Sequence, residues 1–377
     1  MAEIRQLQLI EMNEAVRLTD LVFRDHEHVS MGEAFPFVFS PSLGQSFGAF
    51  EDSKLVSFIG IVPWLIYVGR AQLKVYALGA VCTHPDYRGK GYASTLLEHV
   101  YHHVRQAQAS LLLVSGDRSL YTRNQCYPFG SFNRYSVKPE HCASLVAQNA
   151  MVGYTFRERT SADWYTLHEL AASRTVRYDQ SLSELALLIH SQAVASNSKL
   201  EHRTLIAEKD GKVLSFAVVA VPGKYMPLGA PQAIEWAGDV EAVVALLAYA
   251  VERYSLHQLD IAVAWHEIGL QEALRNVEFQ ASHNNGTICI TDPQLLLDQL
   301  EPYLKDVIDL QQDKMTVTPS ADGRSVLRFG PETIDLAPQE LVSLLFDTEP
   351  QLAMKLQEGL SSLFPIPFPY VGGLNFV

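Results

Sequence analysis

The chain has 377 residues, of which 48% are hydrophobic and 19% charged. That is too long for one ordinary core and too apolar for disorder, so two or three folded domains are expected. The formal net charge of −13 argues against a nucleic-acid or anionic-membrane partner and suits a cationic, amine-bearing one better.

No charged-then-apolar leader opens the sequence, and no apolar run is long enough to span a bilayer. The four cysteines, Cys82, Cys126, Cys142 and Cys289, form no Cys-x-x-Cys pair and read as reduced thiols. A cytoplasmic protein without membrane or nucleic-acid partners is the expectation.

Residues 1–10 alternate as a first strand, and residues 11–28 read as a helix with Ala15, Leu18, Val22 and Phe23 on one face. An aromatic stretch, Ser30 to Phe39, follows and is broken by Pro36. Residues 46–51, 54–62 and 72–82 read as an antiparallel meander. Its last strand delivers the chain to Val81-Cys82-Thr83-His84-Pro85-Asp86-Tyr87-Arg88-Gly89-Lys90-Gly91-Tyr92-Ala93. A helix from Ser94 onward then repeats apolar residues at Leu96, Leu97, Val100 and Val104. His99, His102 and His103 fall on or near its other face; their spacing fits no zinc motif, and a solvated face explains them. Leu111 to Ser115 reads as a strand buried on both sides, completing a right-handed strand–helix–strand unit. Ligand is expected beyond the carboxyl ends of these strands, beside Gly116-Asp117-Arg118.

The turn at 88–93 joins a strand to a helix whose first N–H groups lack intrahelical partners. Those amides and the helix dipole favour a phosphate or pyrophosphate. Gly89 and Gly91 allow close backbone approach, and Arg88 and Lys90 add charge. The spacing is Arg-x-x-Gly-x-Ala at Arg88, Gly91 and Ala93, neither a Walker A loop nor a Rossmann fingerprint. It resembles the acyl-CoA pyrophosphate loop of the GNAT N-acetyltransferases. The resemblance implies that Val81, Cys82 and Thr83 hold the pantetheine arm. The Val81 amide would face the thioester carbonyl, and the loop from Arg88 through Tyr92 to Ser94 would hold the diphosphate. Leu120-Tyr121-Thr122-Arg123-Asn124-Gln125-Cys126-Tyr127 resembles a second segment of that family, with Cys126-Tyr127 standing where Gly-Phe is usual and about one place later. A phenol near the sulfur can protonate the departing thiolate, which makes Tyr121 the candidate acid and Tyr127 its alternate. The resemblance also implies an acceptor-site lid at residues 30–39, with Asp25, Glu27, Glu33 and Phe35 as acceptor contacts. No metal is expected.

Residues 133–150 read as a connection. Beyond Tyr154, helices at 161–172 and 181–195 precede strands at 202–208, 213–221 and 233–237, a helix at 239–254, a strand at 259–265 and a helix at 268–276. This order copies the first domain, but Gly238-Asp239-Val240-Glu241 replaces the basic loop. Two carboxylates suit a helix N-terminus and would repel a pyrophosphate. A helix at 292–304, strands at 315–318, 325–329 and 334–336 with a turn at 319–323, and a helix from Ala337 make a small α+β piece. It resembles a sterol carrier protein-like domain. The proline-broken, aromatic tail from Phe364 to Val377 is too apolar for water and is expected in a groove.

A GNAT unit, a degenerate GNAT unit and such a domain occur in this order in the Eis-type acetyltransferases. The fold class implied is α/β (α+β): two tandem mixed-sheet domains, 1–150 and 151–290, plus a small piece at 291–377. The family's extended C-terminus enters the active site, so the Val377 carboxylate would be the general base; a strap that only pins the third domain is the alternative. The activity implied is transfer of an acetyl group from acetyl-CoA to a small primary amine by direct attack; Eis-type relatives form oligomers, so a homo-oligomer is open to this chain. A CoA- or lipid-binding sensor without turnover, or a scaffold of inactive units, are the competing readings.

Overall fold

Apolar runs near the start of the chain pair as an antiparallel meander in the computed structural model, which describes residues 2–148, 153–307, 315–320, 323–330, 332–348 and 363–377. The meander is β1 (Glu3–Gln6), β2 (Phe47–Glu51), β3 (Lys54–Val68) and β4 (Ala71–Thr83), neighbours in that order. The helix α1 (Met12–Phe23) lies on β3, as does α3 (Tyr92–Gln106), with the short α2 (Met31–Ala34) between them in sequence. β5 (Leu111–Val114) runs parallel to β4 after α3, the expected crossover. Leu96, Leu97, Val100 and Val104 of α3 are buried against Ile59, Ile61, Leu78 and Leu112 of the sheet. Each such side chain contributes about 1.5–3 kcal/mol. α1 stops at Phe23, short of the expected residue 28, because Arg24 is extended and the Asp25 carboxylate accepts the Glu27 and His28 amides at 2.9 and 3.2 Å. An Asx turn competes there with the helix. His103 is not on a solvated face: it is half-buried, 3.2 Å from the Tyr76 hydroxyl.

These elements belong to one compact unit, Met1–Gly130 with Asn284–Phe368 and Val377; Ser131–His283 and Pro369–Phe376 form another. The stretch at 133–150, expected as a connection, holds a strand, β6 (Ser131–Val137), and the helix Pro139–Gln148. Phe132, Tyr135 and Val137 are the buried positions of β6, an interrupted alternation that its Asn, Arg and Ser residues mask. The strands of this unit continue as β7 (Tyr154–Glu158), β8 (Leu200–Lys209), β9 (Lys212–Pro222), β10 (Gln232–Gly238), β11 (Leu259–Ala264) and β12 (Phe279–His283). Their spatial order is β12-β6-β11-β10-β9-β8-β7. Helices α4 (Trp164–Ser173), α5 (Leu182–Ser191) and α6 (Val240–Arg253) accompany them. The Asp239 carboxylate caps α6 by accepting the Ala242 amide at 2.9 Å.

The same unit holds a charged triad. Arg174 donates to Glu235 at 2.8 Å and to Glu267 at 2.7 Å, with its guanidinium 4.3 Å from the Trp236 ring centroid. Burial holds the Glu235 carboxyl above the usual range, and Arg174 counters that. Arg174→Met leaves two carboxylates without their cation. The expected cost is about 3 kcal/mol, a Tm drop of roughly 10 °C by calorimetry. An unchanged Tm would mean that solvent screens the triad.

The chain returns to the first unit through β13 (Thr287–Ile290), antiparallel to β5. Neither β12 nor β13 is evident in the sequence, and the turn between them includes Gly286 at φ +81°. A side chain at Gly286 would collide with the Val114 carbonyl, so the close approach of β13 to β5 requires glycine there. Helix α7 (Pro293–Val307) lies on β4, where Gln299 Oε1 accepts from the Lys74 amide at 3.1 Å and the Ser110 hydroxyl at 2.7 Å. A three-stranded sheet, β14 (Thr316–Pro319), β15 (Ser325–Phe329) and β16 (Glu332–Leu336), is followed by α8 (Pro338–Phe346). Residues 321 and 322 of the expected turn, and 149–152 at the expected domain boundary, lie outside the described residues. Phe129, Phe346 and Phe368 meet edge to face at 5.5–5.7 Å.

Candidate active site

The site begins where β4 stops matching its neighbours. Its pairing with β5 ends at Leu78 and Val114. Its register with β3 jumps from Gly79–Gly60 to Cys82–Phe58, so Ala80 and Val81 stand opposite Ile59 alone. Ala80 takes φ +53°, an uncommon left-handed conformation for alanine. A bulge of this kind re-aims backbone and side chains at a strand end. Beyond it, the Ser57 hydroxyl donates to the Cys82 carbonyl at 2.9 Å and accepts from the Thr83 hydroxyl at 2.8 Å, fixing the last residues of β4.

A cavity of about 520 Å³ opens there. From the expected cofactor set it takes Val81, Cys82, Thr83, Arg88 and Ala93. Gly89, Lys90, Gly91, Tyr92 and Ser94 lie outside its lining. Gly89 and Gly91 have φ +79° and +83°, and an added Cβ at either would meet nothing within 4 Å. The loop's backbone is thus left-handed and open. Gly91 caps α3 without a side chain, its carbonyl accepting from the Ser94 and Thr95 amides at 3.0 and 3.1 Å. The first amides of α3 have no acceptor within the helix. Arg88 Nε reaches the Thr83 carbonyl at 3.4 Å, which keeps the guanidinium at the cavity. Lys90 is held elsewhere, 2.8 Å from Glu51 and 4.8 Å from the Tyr87 ring centroid. Burial pushes the Cys82 thiol up to about 12, so it stays neutral.

Tyr121 sits on the short helix Ser119–Thr122 and lines the cavity with Arg118 and Leu120. Its ring would contact a Cβ placed on Gly116 at 3.3 Å. Burial raises its phenol above the ordinary value, and the nearby Arg118 charge pulls the other way. Tyr127, the alternate, bridges to Ile288 through paired 2.9 Å backbone bonds and is not in the lining. Cys126 is buried beside Cys289 and 3.2 Å from the Tyr101 hydroxyl. Val22 and Phe23, at the end of α1, also line the cavity. Sequence reading placed both on the packing face of a helix; Phe23 is 38% exposed, and only the early end of α1 puts it at an opening.

Val377 reaches the same strand. A Cβ added at Gly79 would fall on the Val377 main-chain carbonyl carbon and 2.9 Å from its oxygen. Gly79 is the residue just before the bulge. Val377 is buried, as are Phe364, Ile366, Phe368, Val371 and Leu374 of the tail. The Asp25, Glu27, Glu33 and Phe35 group is not in the cavity lining. Asp25 holds the turn after α1, its carboxylate 2.8 Å from the His28 ring Nδ1, while Glu33 is exposed. Phe35 is buried, and its neighbour Phe39 stacks on Phe58 at 5.6 Å, so this stretch packs on the sheet.

Residues 3–128 match the family model described as Acetyltransferase (GNAT) domain. No curated protein matches the chain. Among solved structures, a conserved protein of Enterococcus faecalis is similar at a TM-score of 0.68 and 13% identity, covering 98% of this chain and 100% of that one. The GCN5-related N-acetyltransferase of Kribbella flavida is similar at 0.64 and 15%, covering 98% and 99%. Eis1 of Mycobacterium abscessus is similar at 0.63 and 11%, covering 99% of each chain. The overall mixed α/β fold is therefore shared along essentially the whole chain. Among the described residues no helix is long and apolar enough to cross a membrane, and no group of His, Cys, Asp or Glu could hold a metal ion.

Proposed function

We propose, from the match of residues 3–128 to the GNAT acetyltransferase model and a fold similar to that of Eis1, that the protein moves an acetyl group from acetyl-CoA to a primary amine of a small cationic acceptor. The observation that carries this reading is one cavity lined by Val81, Thr83, Arg88 and Tyr121, where β4 parts from β5. Val81 and Thr83 hold the pantetheine arm, and the start of α3 with Arg88 holds the diphosphate. The amine attacks the thioester directly. The Val81 amide stabilises the oxyanion, and Tyr121 protonates the thiolate. In a chain ending at Val377, that residue's carboxylate takes the amine proton. Residues 151–290 serve as a GNAT-like unit without a pyrophosphate loop, and residues 291–377 as the sterol carrier protein-like piece.

Thiol release from acetyl-CoA, measured with polyamines, lysine peptides and aminoglycosides, tests the activity. Amine-dependent release is the expected result. Saturable CoA binding with no turnover on any amine would favour the sensor reading instead. Calorimetry of CoA binding tests the loop. Arg88→Met should weaken affinity about tenfold, the equivalent of one lost charge-assisted hydrogen bond. Lys90→Met should change it little, because Glu51 already holds that ammonium. Equal losses in both variants would mean the diphosphate draws Lys90 away from Glu51.

A further inference from the structure

The Ser131–His283 unit has a concavity of its own, about 420 Å³, at one end of β7 and β8. Arg159 follows β7 and donates its amide to the Thr204 carbonyl of β8 at 2.9 Å, which closes one side. Gln192, just past α5 at φ +57°, accepts the His202 amide at 2.8 Å and closes another. The lining is rich in cationic and ring groups: Arg159, Arg203, His190, His202 and Trp164, with Glu158 as its carboxylate. Glu158 accepts from the Tyr254 hydroxyl at 2.8 Å, and Arg203 is paired with Glu201 at 2.9 Å. Arg159 lies 4.1 Å from the Trp164 ring centroid and makes no ion pair among the described residues.

His202 sets the chemistry. It is 8% exposed, and its Nδ1 lies 2.9 Å from the Ile189 carbonyl oxygen. A carbonyl only accepts, so Nδ1 carries the proton and Nε2 presents a lone pair. That Nε2 is buried in the pocket wall without a partner among the described residues. Burial pushes the ring's pKa down to about 4, so the lone pair persists at neutral pH. A buried acceptor left unmatched costs about 1–3 kcal/mol, which a ligand carrying a donor recovers.

We propose that this pocket binds a phosphomonoester. Its monoanion, the form that keeps an O–H below the second ionisation at about pH 6, meets Arg159 and Arg203 through its anionic oxygens and donates that O–H to His202 Nε2. Sulfate at the same pH supplies the charge without the donor. The pocket exceeds what inorganic phosphate fills, and the Trp164 face gives an organic remainder an apolar wall.

The test uses the full chain with glycerol phosphate, inorganic phosphate and sodium sulfate at about pH 5.5, where phosphate keeps an O–H and His202 stays neutral, and at fixed ionic strength, followed by calorimetry and tryptophan fluorescence. Glycerol phosphate and phosphate should bind saturably, with sulfate at least about tenfold weaker, as loss of one hydrogen bond to the anion predicts. Trp164→Phe should abolish the fluorescence response, and Arg159→Gln should weaken phosphate binding about tenfold at an unchanged Tm. The proposal is overturned if neither phosphate compound binds, or if sulfate binds equally well. It is overturned too if binding survives Arg159→Gln and disappears in Arg88→Met, which would put the anion on the loop before α3.

Discussion

Gly79→Ala should lower kcat by about 10²–10⁴-fold while leaving the KM for acetyl-CoA near its original value, the range for loss of a general base. Gly79 does not have a positive φ, so alanine costs the backbone nothing there. What alanine adds is one carbon where the main-chain carbonyl of Val377 lies, the group that is the proposed carboxylate in a chain ending there. The nearest atoms are main-chain atoms of the tail and cannot swing aside like the end of a flexible side chain. The tail's end must therefore move away from β4. The groups proposed to hold CoA, Val81, Thr83 and Arg88, are untouched, so binding and turnover should separate. Steady-state kinetics with calorimetry of CoA binding reads that separation. A single glycine appended after Val377 tests the same carboxylate without altering β4, and it too should depress kcat alone. If both variants retain full turnover, Val377 has no part in proton transfer and the tail is a packing strap.

The first sheet and its loop were legible because local pattern and tertiary role coincide. Leu96, Leu97, Val100 and Val104 mark α3 at helical spacing, and the residues from Arg88 to Ala93 mark the turn before it. The cavity's outer wall was not legible. Val22 and Phe23 look like core residues of a longer helix, and only the Asp25 turn, a three-residue hydrogen-bond choice, exposes them. Long-range pairings were also hidden. β6 carries Asn133, Arg134 and Ser136 among its apolar positions, yet it sits inside a sheet between β11 and β12. β13 has only four residues, and its partner β5 is far away in sequence. A strand that short is recognised by what it pairs with, because its own composition gives no distinct period. Gly79 was not singled out either, since its importance comes from Val377 lying against it.

Tyr121→Phe should cut kcat by about 10²-fold or more, with little change in CoA affinity or Tm. Phenylalanine keeps the ring that packs at Gly116, so fold and cavity shape should persist and only the hydroxyl is lost. The pH profile distinguishes an acid from a packing residue. Burial raises the Tyr121 pKa above the ordinary phenol value of about 10, so the proton is present throughout the neutral range and leaves only at more alkaline pH. With the native enzyme, kcat should therefore hold past pH 10 before falling as the phenolate forms. With Tyr121→Phe the low residual rate should lack that alkaline limb, because the group that titrates is gone. Tyr127→Phe should keep both rate and limb, since Tyr127 lies outside the cavity lining. If the alkaline fall survives in Tyr121→Phe and disappears in Tyr127→Phe, the thiolate takes its proton from the later tyrosine, and the segment's register must be shifted accordingly.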